Sequence, residues 1–261
     1  MGRKLGQHFL NSGSVLEKIA GAACPHRVEQ VIEIGPGRGA LTEHLLRRAG
    51  RVVAIETDPE LVDHLRSRFA GASNLHILHA DILETDLGQW GPAAVAGNLP
   101  YYITSPILKK TLAIGPLLVN AVFLVQREVA ERLIAEPGSR QYGFLTVQTK
   151  LFAEPELLFP VPAAAFRPPP KVDSAVVRLT PIPPERRLIA EDPAAFLDFA
   201  GCCFRLKRKT IRNNLASRYG RSLLDECPER SLRAEQLSIA ELARLYRRLS
   251  AKGPDFAVPL Y

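Results

Sequence analysis

The spacing of apolar residues changes character twice along the chain. Ser14 to Ala23 carries Val15, Leu16, Ile19 and Ala20 at helical spacing. After it, short apolar runs alternate with segments of helical period. The runs Val31-Ile34, Val52-Glu56, Leu75-His79, Ala93-Ala96 and Ala121-Val125 predict strands. Between and after them, helices are expected at Ala40-Arg48, Pro59-Phe69, Pro106-Leu112, Glu128-Ile134 and Gly143-Phe152. Asp58 is placed to cap the second of these helices, with Pro59 at its first position. Two further strands are expected near Glu156-Phe159 and Ser174-Thr180. Such alternation implies an α/β fold with a parallel sheet covered by helices on both faces.

The second change comes at Thr180-Pro184, which reads Thr-Pro-Ile-Pro-Pro and can continue neither helix nor strand. Beyond it only helical patterns follow, at Pro193-Cys203, Lys207-Tyr219 and Ile239-Ser250. The expected organisation is an α/β domain over residues 1–184 and a small helical domain over 185–261.

Composition narrows the functional classes. With 261 residues, 46% of them hydrophobic, the chain can bury a core without disulfides. Cys24, Cys202, Cys203 and Cys227 form no Cys-x-x-Cys pair, which points to buried thiols in a reducing compartment. No metal is expected. No apolar run reaches the roughly 18 residues of a membrane helix. The basic start, Met1 to Asn11, lacks the apolar stretch of a signal peptide. A cytoplasmic monomer without membrane contact is therefore expected. The net charge is +7, and most of the excess falls after Glu185. A clustered basic face suits a polyanionic partner through counterion release, although charge alone leaves a merely solvated surface equally open.

The first chemical signal is Val31-Ile-Glu-Ile-Gly-Pro-Gly-Arg-Gly39, a strand running into glycines at 35, 37 and 39. Gly35 and Gly37 permit a tight turn and close approach of a ligand to the backbone. The spacing differs from that of dinucleotide dehydrogenases, and no Lys-Ser/Thr pair follows to grip a triphosphate. Glu56 ends the next strand, about twenty residues past Gly35, where a carboxylate can accept ribose hydroxyls. Asp81 follows the third strand and can accept from an adenine amino group. Acidic residues at successive strand ends beside a glycine turn define a nucleoside site.

The second signal is Gly97-Asn-Leu-Pro-Tyr-Tyr-Ile103, directly after the fourth strand. An adenine amine is a poor nucleophile because its lone pair is delocalised into the ring. Acceptors aimed at both N–H groups favour a pyramidal nitrogen with an available lone pair. The Asn98 side-chain oxygen and the Leu99 or Pro100 carbonyl are the candidates, and Tyr101 offers a face for the base. No strong general base is needed if the methyl donor is already activated, so positioning and electrostatics carry the reaction.

With Gly6-Gln-His-Phe-Leu-Asn11 and Phe166-Arg-Pro-Pro-Pro-Lys-Val-Asp-Ser174, these motifs span nearly the whole chain. Together they resemble the ribosomal RNA adenine N6,N6-dimethyltransferase family, specifically the bacterial small-subunit enzymes. The resemblance implies a Rossmann-like domain that uses S-adenosylmethionine, and dimethylation of two adjacent adenosines near the 3′ end of small-subunit rRNA. It also implies that His8 and Leu10 cover the cofactor, with Gly35, Glu56, Asp81 and Asn98 completing its site. Phe166 would form the second stacking wall for the target adenine, while Lys171 and Ser174 shape the loop and start the last strand. Two positions depart from the family pattern: His8 stands where relatives often carry Asn, and Tyr102 where Asn is common.

In the helical domain, Arg205, Lys207, Arg208, Lys209 and Arg212 form a basic run. A helix there, with Leu206 and Ile211 turned inward, could track an RNA backbone. Two rival readings remain: a methyltransferase of the macrolide-resistance type acting on large-subunit rRNA, and a non-catalytic RNA-binding assembly factor. The intact Gly35, Glu56, Asp81 and Asn98 set argues against the second.

Overall fold

A computed structural model describes residues 8–189 and 191–252 of the chain. Gly6 and Gln7 of the N-terminal motif, and the tail from Ala257 to Tyr261, lie outside the described residues. The chain divides into two compact units, one holding residues up to Ile134 together with Phe152–Pro183, the other Ala135–Leu151 together with residues from Pro184.

The first unit begins with β1 (Phe9–Leu10) and α1 (Gly13–Ala23), then β2 (Val28–Ile34), α2 (Ala40–Leu46), β3 (Ala49–Glu56), α3 (Pro59–Arg68) and β4 (Leu75–His79). It continues through β5 (Ala93–Asn98), α4 (Thr104–Ala113), β6 (Leu118–Gln126) and α5 (Arg127–Ile134). After α6 (Phe144–Phe152) come β7 (Ala153–Val161), β8 (Phe166–Arg167) and β9 (Ser174–Pro181). Local chemistry sets these boundaries. Asp58 caps α3 by accepting from Glu60 N at 2.9 Å and Leu61 N at 3.4 Å, with Pro59 at the first turn where no N–H is required.

The seven-stranded sheet has the order β4-β3-β2-β5-β6-β9-β7. β2 pairs in parallel with both β3 and β5, and β3 with β4 and β5 with β6 likewise. The expectation of a wholly parallel sheet is corrected at its far edge, where β9 runs antiparallel to both β6 and β7. A parallel connection needs a crossover, usually a helix, and between β7 and β9 only a short 3-10 turn and the two residues of β8 intervene. The inner strands bury nearly every residue: Val31, Ile32, Val52, Val53, Ala94 and Val95 are wholly inaccessible.

β1 pairs with β8 in a separate two-stranded sheet, matching Phe9 to Arg167 and Leu10 to Phe166. Neither strand is legible from periodicity. Both are too short to alternate.

The second unit contains α7 (Pro193–Phe204), α8 (Ile211–Tyr219), α9 (Arg221–Asp225) and α10 (Ile239–Lys252), joined by residues 135–151. The sequence places that segment in the α/β domain. Its own contacts tie it to the helices instead: Gly138 N donates to Glu235 O at 2.7 Å, and the Tyr142 ring lies 6.0 Å from that of Phe204.

The basic run is also corrected. Residues 205–209 form an exposed turn before α8, and Leu206 is exposed rather than inward, while Ile211 is buried as expected. Thr210 caps α8 through Asn213 N, which sets the true helix start. Buried Asn214 reaches back from α8 to hold the turn. Its Oδ1 accepts from Leu206 N at 3.0 Å, and its Nδ2 donates to Leu206 O and Lys209 O at 3.2 and 3.3 Å. Arg205, Lys207, Arg208 and Lys209 are exposed, whereas Arg212 is engaged by both carboxylate oxygens of Asp225. The four cysteines are free and buried, and burial pushes the Cys24 thiol up to about 11.

Candidate active site

β2 is the middle one of the five parallel strands. The chain moves outward from it to β3 and β4, then returns to its other side as β5. Beyond the carboxyl ends of these strands, at this switch point, lies a cavity of about 490 Å³, within the usual range of ~300–1,000 Å³ for small-ligand sites.

Gly35 follows β2 with φ +64° and lines the cavity, and no atom lies within 4 Å of the position a Cβ would take. Left-handed backbone here favours glycine, and its bare face opens to a ligand. Gly97, near the end of β5, is constrained differently. A Cβ would fall 2.5 Å from the Ile34 carbonyl oxygen, so only glycine lets β5 approach β2 this closely and bring Asn98 beside the glycine turn.

Glu56 is almost fully buried and fastens the turn to the end of β3. Its Oε2 accepts from Gly37 N at 3.0 Å, and its Oε1 accepts from Thr57 N and Asp58 N at 2.9 and 3.1 Å. A carboxylate has about four acceptor sites, so roughly one remains for a ligand hydroxyl. Asp81 also lines the cavity; its Oδ1 accepts from Leu83 N at 2.8 Å, which orients the carboxylate. Ile55 and Ile82 supply apolar walls between these acceptors. Bare backbone, two oriented carboxylates and apolar walls fit an adenosine-bearing ligand.

Behind the turn, Glu33 is wholly buried in β2. Loss of hydration pushes its carboxyl up to about 8, and the nearby Glu56 carboxylate pushes in the same direction. Thr42, through its hydroxyl and its backbone, partly offsets this.

On the opposite rim, Asn98 Nδ2 donates to His8 O at 3.1 Å. The amide is thereby oriented, with Oδ1 as its acceptor end. Leu99 is buried, and its N–H donates to Leu124 O at 3.0 Å, tying the turn to β6. The Pro100 carbonyl accepts from Thr104 Oγ1 at 3.0 Å and Ile103 N at 3.2 Å, so its lone pairs are already used. Tyr101 is fixed by a 2.9 Å hydrogen bond between its hydroxyl and Ser174 Oγ, at the start of β9. The His8 ring stacks on Tyr101 at 6.2 Å between centroids, and His8 Nδ1 lies 2.8 Å from Pro168 O.

His8, Gly35, Gly37, Glu56, Asp81, Asn98, Leu99, Pro100 and Tyr101 thus converge on one cavity. Two expected residues do not. Phe166 is 2% exposed and packs with Leu10 in the hydrophobic core rather than lining the cavity. The pairing of β1 with β8 explains this, because the Leu10–Phe166 register places two apolar side chains together against the sheet.

Sequence reasoning also passed over Phe9, which lines the cavity and packs against the glycine turn, where a Cβ on Gly37 would meet its ring at 3.0 Å. The Arg38 guanidinium covers the same ring at 5.2 Å. Ile82, beside Asp81, was detectable as an apolar residue adjoining a strand-end carboxylate.

The class that these features define is the Rossmann-like methyltransferase with S-adenosylmethionine as methyl donor. Residues 1–250 match the family model described as ribosomal RNA adenine dimethylase. The chain belongs to that family. It is 42% identical over 247 residues to a ribosomal RNA small subunit methyltransferase A from Xanthomonas axonopodis pv. citri, covering 93% of this chain and 94% of the relative. A protein of the same name from Acidobacterium capsulatum is 42% identical over 256 residues, covering 94% and 90%. Among solved structures, a dimethyladenosine transferase from Plasmodium falciparum is similar at a TM-score of 0.77 and 27% identity, over 93% of this chain and 96% of that one. The 23S rRNA methyltransferase ErmE gives 0.71 and 30%, over 93% and 99%.

Proposed function

We propose that this chain dimethylates the N6 amines of two adjacent adenosines near the 3′ end of small-subunit rRNA, during assembly of that subunit in the cytoplasm, as a monomer. The observation that carries the reading is the orientation of Asn98. Its Nδ2 is engaged by His8 O, which leaves Oδ1 as the end able to accept from a substrate N–H at the rim of the cofactor pocket.

When bound, S-adenosylmethionine supplies a methyl group on a positively charged sulfur, an already activated electrophile. Gly35 and Gly37 would give the backbone against which it could lie, Glu56 would accept from its ribose, and Asp81 would accept from its adenine amine. The target adenine stacks on Tyr101, whose hydroxyl bond to Ser174 fixes the plane of the ring. Asn98 Oδ1 and a backbone carbonyl accept from its two N–H groups. Because the Pro100 carbonyl is already committed, the second acceptor is Leu99. The nitrogen lone pair would thereby be directed at the methyl carbon; as the N–C bond forms the S–C bond would break with its electron pair left on the now neutral sulfur, and the nitrogen would lose a proton to solvent. His8 has to leave the face of Tyr101 for the base to enter. The exposed turn with Arg205, Lys207, Arg208 and Lys209 supplies phosphate contacts.

The higher identity to the small-subunit relatives than to ErmE supports the small subunit as substrate. The test is transfer of radiolabelled methyl to unmethylated ribosomal subunits, with nucleoside analysis. Dimethyladenosine confined to the small subunit is expected. Label only in large-subunit rRNA would overturn the reading, and tight binding without transfer would leave a non-catalytic assembly factor.

A further inference from the structure

Tyr101 and Tyr102 are adjacent in sequence and opposite in placement. Tyr101 is partly buried with its hydroxyl bonded to Ser174, whereas Tyr102 lines the mouth of the same cavity and is 66% exposed. What sets Tyr102 apart from other exposed apolar residues is its place at the pocket mouth, where an aromatic face is open to a base.

Tyr102 is also held on a stiff support. It sits in the 3-10 turn Tyr101–Ile103, which runs directly into α4. The Thr104 hydroxyl and Ile103 N–H close this turn on the Pro100 carbonyl, and Lys110 fastens α4 by donating to Leu83 O at 2.8 Å. The exposed positions continue at helical spacing. Pro106 and Lys109 follow Tyr102 on the outer side of α4, while Ile107 and Leu108 are buried. An aromatic face at the pocket rim is therefore followed, along one helix face, by a solvated cation. That pairing suits a nucleic-acid strand, with a base on the ring and a phosphate near the amine.

Resting on the proposed RNA substrate, we infer that Tyr102 is the platform on which the nucleotide neighbouring the target adenosine stacks, with Lys109 facing the adjoining phosphate. An enzyme that draws one base out of its stack strips that base's neighbour of a partner. A rim aromatic replaces the lost contact and sets which nucleotide stands beside the pocket. Tyr101 and Tyr102 then hold consecutive bases on two sides of one turn. Stacking needs the ring and not the hydroxyl, so Phe or Trp serves in place of Tyr, and Ala does not.

The test measures affinity and single-turnover methyl transfer with unmethylated small subunits for the wild type, Tyr102→Phe, Tyr102→Trp and Tyr102→Ala. Subunits reconstituted with an abasic residue beside the target adenosine complete the cycle. Tyr102→Ala is expected to weaken subunit binding about tenfold or more, the scale of one lost base stack, with S-adenosylmethionine affinity unchanged. The aromatic variants should bind like the wild type. On the abasic substrate the wild type should lose the same factor and Tyr102→Ala nothing further. The inference is overturned if Tyr102→Ala binds intact subunits like the wild type, if Tyr102→Phe loses as much as Ala, if cofactor affinity falls in parallel, or if the two losses multiply. Its readout is a ratio of subunit affinities, whereas the proposed function fails on a different result, the absence of label transfer by the wild type.

Discussion

The side chain of Asn98 and the backbone of His8 are joined by a 3.1 Å hydrogen bond that crosses the mouth of the pocket. The bond fixes which end of the amide is donor and which acceptor, and it ties the target turn to the segment ahead of β1.

Replacing Asn98 by Ala removes an acceptor for the substrate amine and releases His8. Single-turnover transfer should fall by about 10²-fold or more, with affinity for small subunits unchanged. Equal loss of transfer and binding would contradict the role assigned to Asn98. Asn98→Asp should be nearly as damaging, because a carboxylate facing the His8 carbonyl sets acceptor against acceptor.

Glu56→Gln should weaken cofactor binding by more than about tenfold and lower stability by about 1–3 kcal/mol. The Gln oxygen can still accept from Thr57 and Asp58, but its amino group then faces the Gly37 N–H, donor against donor. Isothermal titration and urea unfolding read the two effects separately. Unchanged cofactor affinity would show that Glu56 serves only the turn.

Glu33 gives a pH signature. Its carboxyl titrates at about 8 in the folded chain against 4.5 when exposed, so between those values the folded state holds a proton that the unfolded state has released. Stability conferred by this site is therefore greatest below about 4.5, falls as pH rises to about 8 and then levels. Glu33→Gln stays neutral and escapes the loss. Its stability advantage over the wild type should grow across that window to a few kcal/mol and stay flat above it. A constant difference across the range would show that Glu33 is not held protonated.

Charge reversal at Lys207, Arg208 and Lys209 should weaken RNA binding and flatten its salt dependence by up to about 0.9 per lost phosphate contact. Arg212, paired with Asp225, should contribute less to the slope. Asn214→Ala should weaken binding without changing charge, because it frees the turn that carries these residues. An unchanged slope after reversal would make the turn a solvated surface.

Much of this was legible where local chemistry decides structure. Asp58 and Pro59 announced the start of α3, and Leu75–His79 was bounded correctly because its apolar run ends at turn residues. Residues at strand ends, from Gly35 to Asn98, could be gathered into one site because alternation of strand and helix puts successive carboxyl ends on one edge. The direction of β9 was not legible, since a period of two is the same read either way. The core placement of Phe166 was not legible because an aromatic beside prolines looks alike whether it stacks on a ligand or fills a core. The basic run was drawn into a helix because Lys and Arg are good helix formers, although Thr210 marks the cap that ends the turn.

The interruption at residues 135–151 has a consequence for how such proteins can be recombined. The helical unit is assembled from two separated stretches of chain, and α6 runs directly into β7 of the sheet. A crossover at the prolines near 184 would transfer the sequence of the last four helices without the stretch that Glu235 and Phe204 contact. A terminal cassette is therefore not a complete helical unit, and a chimera between relatives has to carry residues 135–151 together with the segment after Pro184.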